Sequence, residues 1–217
     1  ETIGAMHRAF GFPQWSLGAV ADQQVVIAEG ASHFEQGRRI GRWPLVGPAL
    51  QRWLEGVAAT LRDPAQPIPG LLAARYALRK SKKRRARFDA LLEQRRRGAV
   101  IVTDRYPQIA VAGLHDGPIL AGIATSPALA ALQAQEHALY AAMAAYRPTL
   151  VIRLHIDVDT VMARKPDHDR ALIAQKVASV GRLTFGGAPM VDLDATMDYA
   201  EELALATAAV DAALAAA

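Results

Sequence analysis

The chain has 217 residues, 52% hydrophobic and 21% charged, the size and balance of one domain with a sizeable buried core. It contains no cysteine, which excludes disulfides, thiol catalysis and thiolate metal sites and fits a reducing, cytoplasmic setting. The net charge is +4 with a pI near 9.6, and neither alanine-rich stretch, Ala128–Ala145 or Leu203–Ala217, is free enough of polar residues to cross a membrane.

In chain order, ETIGAMHRAF at 1–10 sets Ile3, Met6, His7 and Phe10 at helical spacing, already inside a helix at the first residue. QVVIAEG at 24–30 reads as a short strand leaving through Glu29 and Gly30. Trp53, Leu54 and Val57 suggest a helix from about Pro48 to Leu61, ahead of the proline-rich loop DPAQPIPG. A long helix is expected from Leu71 to Arg97, stopped by Gly98. AVIVTD is the next strand, and 107–126 reads as loop.

Ser126 followed by Pro127 is a helix start, and that helix runs to about Tyr146. LVIRLHI after Pro148 is a third strand. A helical piece over Thr160–Arg164 is broken by Pro166; Asp169 caps the next helix, to about Val180. MVDLD at 190–194 is a fourth strand, and Asp194 is expected to cap a C-terminal helix. Apolar strands alternating with helices indicate an α/β fold, a mostly parallel sheet covered on both faces.

Ligands of open parallel sheets sit beyond the carboxyl ends of the strands. The residues leaving the strands are therefore the first candidates: Glu29, Asp104, Arg105, Asp157, Asp159, Asp192 and Asp194. A lone strand-end Asp is usually a cap or turn former. Asp104 differs in being joined to Arg105 and preceded by RKSKKRRAR at 79–87, seven basic residues in nine. There Arg79, Lys83 and Arg87 form one stripe with Lys80 beside it, and Phe88, Leu91 and Leu92 turn mostly to the other side. The stripe is a solvated face, a polyanion-binding surface or part of a phosphate site. Nucleic acid ranks below a small phosphorylated ligand, because aromatic residues are not interleaved with the cations.

A second cationic segment, 161–176, holds Arg164, Lys165, His168, Arg170 and Lys176 around Pro166. This suits a flap over phosphates, although a plain surface turn has the same pattern. The six histidines show no metal-ligand spacing.

Taken together, QVVIAEG, RRRGAVIVTDRY, RPTLVIRLHIDVDTVMARK and MVDLDATMDYAEEL resemble the thymidylate kinase-like nucleotide kinases of the P-loop superfamily. The resemblance covers most of the chain and is most specific at the DRY stretch. It implies a single three-layer domain over 1–217 with a lid at about 164–176. It implies ATP and Mg²⁺ as cofactors and a thymidylate-like nucleotide or related small acceptor as substrate; kinases of this family are often homodimers.

By the same resemblance, Asp104 holds Mg²⁺ waters or the acceptor phosphate, and Arg105 binds the acceptor phosphate. Lys83 or Arg84 is the substrate-phosphate cation of the basic helix, with Arg87, Tyr106 and Glu29 also on the substrate. Arg164 and Arg170 neutralise the transferred group, while Lys165 and Asp194 lie on the nucleotide side. HDGP at 115–118 is assigned to the acceptor site of a divergent subfamily. One element departs from the pattern: the 217 residues contain no G-x-x-x-x-G-K-[ST]. The first strand and phosphate loop are therefore expected upstream; the competing reading is a degenerate, non-catalytic nucleotide-binding or scaffold domain.

Overall fold

A computed structural model describes residues 25–28 and 56–216. The expected helix at 1–10, Glu29 and the glycine-containing stretch at 30–39 lie outside the described residues. The strands are β1 (Val25–Ala28), β2 (Val100–Thr103), β3 (Val151–His155) and β4 (Met190–Asp194). The helices are α1 (Leu71–Arg96), α2 (Pro127–Ala144), α3 (Val158–Arg164), α4 (Arg170–Ser179) and α5 (Tyr199–Ala215). A further helical stretch covers 56–62. The result is a mixed α/β chain in which β1 pairs with β2, and β3 pairs with β4 in parallel.

The chain divides into two compact units. One holds 25–27, Gln94–Val102 and 147–216; the other holds Ala28, 56–93 and Thr103–Tyr146. In the first, β3 and β4 run in register from Val151 opposite Met190 to His155 opposite Asp194. Burial along the strands is uneven: Leu193 of β4 is buried, whereas Val102 of β2 is 43% and Leu154 of β3 49% exposed. Among the described residues each strand has a single neighbour.

The second unit is built around α1 and α2. Along α1 the buried residues are Ala74, Ala77, Leu78, Ser81 and Phe88, at the three- and four-residue spacing that keeps one face inward. Ala74 and Ala77 join Leu61, Ile68, Leu120 and Leu129 in one apolar cluster. Phe88 joins Tyr140 and Met143 in another, and its ring meets Tyr106 edge-on at 5.7 Å. The outer face of α1 carries Arg75, Arg79, Lys83 and Arg87 four residues apart, all exposed. Each like-charged pair at that spacing costs about 0.2–0.5 kcal/mol of helix stability. Arg85–Asp89 is an opposite-charge pair that works the other way.

Ser126 caps α2 as expected, accepting from the Leu129 amide with Pro127 in the first turn. Asp169 likewise caps α4. Two expectations are corrected. The helix before Pro166 starts at Val158, not Thr160, because Asp157 caps it through the Thr160 amide. Asp194 does not cap the C-terminal helix: its carboxylate takes the Thr196 amide and hydroxyl in a turn, and Asp198 caps α5 through the Ala200 amide. The chain needs that turn to leave β4 before a helix can start.

Candidate functional site

The loop-like stretch at 107–126 is an ordered structure tied to both helices. The buried Gln108 amide donates to the carbonyls of Val111, Leu114 and His115, and its oxygen accepts from the Val111 amide. Glu136 of α2, fully buried, accepts from the Ser81 hydroxyl and the Leu120 amide. Gln133 donates to the carbonyls of Leu120 and Gly122, both at 2.8 Å. Gly113, with φ +78°, lies so close to Arg62 that a Cβ would stand 2.1 Å from the Arg62 carbonyl oxygen. Within this frame His115 and Asp116 both adopt left-handed backbone, φ 46° and 62°, a strained conformation for residues with side chains. Asp116 is thereby presented to α1.

Arg84 receives it. Its Nη2 donates to Asp116 at 2.8 Å and its Nη1 to the Tyr140 hydroxyl at 3.0 Å, with the two charged side chains 18% and 11% exposed. Arg84 lies three residues after the buried Ser81 and four before Phe88, so helical geometry turns it inward. Lys83 and Arg87 are on the exposed side. Of the two alternatives read from sequence for the phosphate-binding cation, Arg84 is the one held in a built environment. Burial works against its charge, yet the interactions with Tyr140 and Asp116 outweigh burial and raise its pKa. Burial also raises the Tyr140 pKa.

A third group belongs here that sequence reading passed over. Arg62, half-buried at the end of the 56–62 helical stretch, stands in the field of Arg105, Arg84, Tyr140 and Asp116. Burial lowers its pKa most, and the charges of Arg105 and Arg84 lower it further. Arg62 thus stands in the field of two further arginines and of Asp116. A partly desolvated cation beside like charges is costly unless an anion joins it. The arrangement is suited to a phosphate, carboxylate or similar ligand. No residue spacing within TLRDPAQ would single Arg62 out, because its neighbours come from α1 and from the chain after β2.

Asp104 and Arg105 leave β2 as expected, 53% and 62% exposed, with Arg105 Nε 3.8 Å from Asp104. Tyr106 turns back to pack on Phe88 and donates to the Tyr146 carbonyl at 2.6 Å.

The remaining predicted residues belong to the other unit. Arg164 and Lys165 are exposed at the end of α3, and Arg170 at the start of α4 is ion-paired with Asp159. On β3 and β4, Asp192 accepts two bonds from Arg153, at 2.6 and 2.8 Å, and lies 2.6 Å from His155 Nε2. These bonds, Arg153 first, hold its carboxyl far below the usual range. The Thr196 contacts lower Asp194, and those of Thr160 lower Asp157. Among the described residues, no group of three or more His, Asp or Glu is placed to hold a metal ion, and no helix is long and apolar enough to cross a membrane.

Fold and site together define an α/β protein with parallel strand pairing and an arginine cluster after a strand, chemically suited to an anionic ligand. No protein-family model and no solved structure matches the chain. It is 37% identical over 182 residues to the uncharacterized ATP-binding protein YghS of Escherichia coli K12, covering 81% of this chain and 77% of that protein. It is 35% identical over 179 residues to the uncharacterized ATP-binding protein YghR of the same strain, covering 81% and 71%. The chain belongs to the family of YghS and YghR.

Proposed function

We propose that this protein binds ATP and transfers its γ-phosphoryl group to a small anionic acceptor, a thymidylate-like nucleotide or a related phosphorylated compound, on a three-layer P-loop-type domain. The observation that carries the reading is the shielded Arg84–Asp116 pair with Arg62 in the field of both and of Arg105. The names of YghS and YghR, both ATP-binding proteins, support the nucleotide half of it.

Phosphoryl transfer needs little covalent chemistry from the protein; positioning and charge neutralisation supply most of the acceleration. In this reading Arg62 and Arg105 hold the acceptor's anionic group, and Arg84 completes the field while anchored by Asp116 and Tyr140. Asp104 is a single exposed carboxylate after β2, and Mg²⁺ is typically bound through one or two carboxylates, substrate phosphates and retained waters. Asp104 therefore fits the ion through its waters. When bound, Mg²⁺ neutralises charge on the nucleotide phosphates. Arg164, Lys165, Arg170 and Asp194 keep the nucleotide-side roles that the kinase resemblance implies, with 164–176 as the lid.

The test is an ATP-consumption screen of the full-length protein against nucleoside, nucleotide and sugar-phosphate acceptors, with Asp104→Ala, Arg105→Ala and Arg62→Met alongside. Turnover with one acceptor, lost in Asp104→Ala and with raised acceptor KM in Arg62→Met, is expected from folded variants. ATP binding with no turnover on any acceptor would overturn the transfer reading.

A further inference from the structure

The cations of α1 serve two directions, and only the inward one is absorbed by the site above. Arg75, Arg79, Lys82, Lys83 and Arg87 are all exposed on the opposite side from Ala74, Ala77, Leu78, Ser81 and Phe88. Among the described residues none of the five enters an ion pair or hydrogen bond, and Asp89 is taken by Arg85. The first turn of the helix carries no acidic residue. Buried contacts of the inner face fix the helix's rotation, so this stripe is held outward as a rigid row.

We infer that the outer face of α1 is a docking surface for the phosphodiester backbone of a nucleic acid strand, read without regard to base sequence. The row from Arg75 to Arg87 spans about 18 Å, with a cation about every 6 Å. That is too long and too straight to converge on one small phosphorylated molecule, whereas a polymer of regularly spaced phosphates meets each cation in turn. Tyr76, 54% exposed at the start of the row with Lys80 over its ring at 5.4 Å, offers one ring face for a base. Anionic membrane binding fits less well, because Ala74, Ala77, Leu78 and Phe88 are packed inside the protein and the exposed apolar residues of α1, Leu71, Leu72 and Tyr76, sit at its first turns rather than along the row. This surface does not depend on the phosphoryl-transfer reading.

The experiment is fluorescence anisotropy of the full-length protein with a labelled 20-nucleotide single strand and a 20-base-pair duplex, across a salt series. With five phosphates engaged, the slope of log K against log salt is expected near about −3.5 for the single strand and about −4.5 for the duplex. The fourfold variant Arg75→Gln, Arg79→Gln, Lys83→Gln, Arg87→Gln alters exposed positions only and should keep its helical circular dichroism. It is expected to lose about four-fifths of the slope. Arg95→Gln, exposed in the last turn of α1 and outside the row, should leave the slope unchanged. Absence of binding at low salt, or an unaltered slope in the folded fourfold variant, would overturn the inference. So would equal or tighter binding to phosphatidylserine vesicles or to poly-glutamate of matched charge, each of which would assign the row to a different partner.

Discussion

Arg84 and Asp116 stand 32 residues apart in sequence and 2.8 Å apart in the structure, one on the inner face of a cationic helix and the other at the tip of a loop in left-handed backbone. The pair is shielded from solvent, so its loss leaves a desolvated guanidinium without its anion. Asp116→Asn is expected to cost about 2 kcal/mol in urea unfolding. Phosphate at matched ionic strength should then raise the melting temperature of Asp116→Asn more than that of the wild type, because the vacated guanidinium gains a ligand. An equal or smaller rise would show that Arg84 is closed to exogenous anions.

Glu136 is the polar centre of the same unit. Glu136→Ala strands the Leu120 amide and the Ser81 hydroxyl in a buried setting, and a loss of about 3 kcal/mol is expected. Ser81→Ala removes one donor and leaves the Glu136–Leu120 bond in place, so about 1 kcal/mol is expected. Chemical denaturation of both variants measures the ratio; similar costs would mean that the loop is held by other contacts.

Gly113 has no room for a side chain. A Cβ there meets the Arg62 carbonyl in a conformation with φ +78°, so Gly113→Ala is expected to destabilise by about 3 kcal/mol. Gly56, with nothing within 4 Å of a built Cβ, should tolerate alanine without loss. Thermal melts of the two variants compare them directly.

Asp192 gives the first unit a pH response. Its folded carboxyl is held below the ordinary range by Arg153 and His155, while in the unfolded chain an aspartate titrates near about pH 3.9. Its contribution to stability is therefore complete above about pH 5 and declines as acid protonates the unfolded state first. The stability difference between wild type and Asp192→Asn should be constant above about pH 5 and shrink steadily from there to about pH 2. A difference independent of pH in that range would assign Asp192 a role other than anchoring Arg153 and His155 as an anion.

Local chemistry made much of this protein legible in advance. The apolar runs marked the four strands of the described residues, Ser126 and Asp169 marked their helices, and the DRY stretch marked the exit of β2 as the place to look. Each of those signals lies within a few residues of chain, where backbone hydrogen bonding and helical or strand periodicity act. Asp194 shows the limit of such signals: an aspartate after a strand bonds whichever amide the turn brings to it, and here that was Thr196.

What only the tertiary structure decided was direction and company. Sequence counted seven cations at 79–87, but the packing of Phe88 and Ala77 turned Arg84 inward and left Lys83 and Arg87 facing out. It brought Arg62 near Arg84 and Arg105, and made Gln108, Gln133 and Glu136 the anchors of a loop with no pattern of its own. Periodicity shows that a helix has faces; which face is buried, and beside what charge, depends on contacts tens of residues apart.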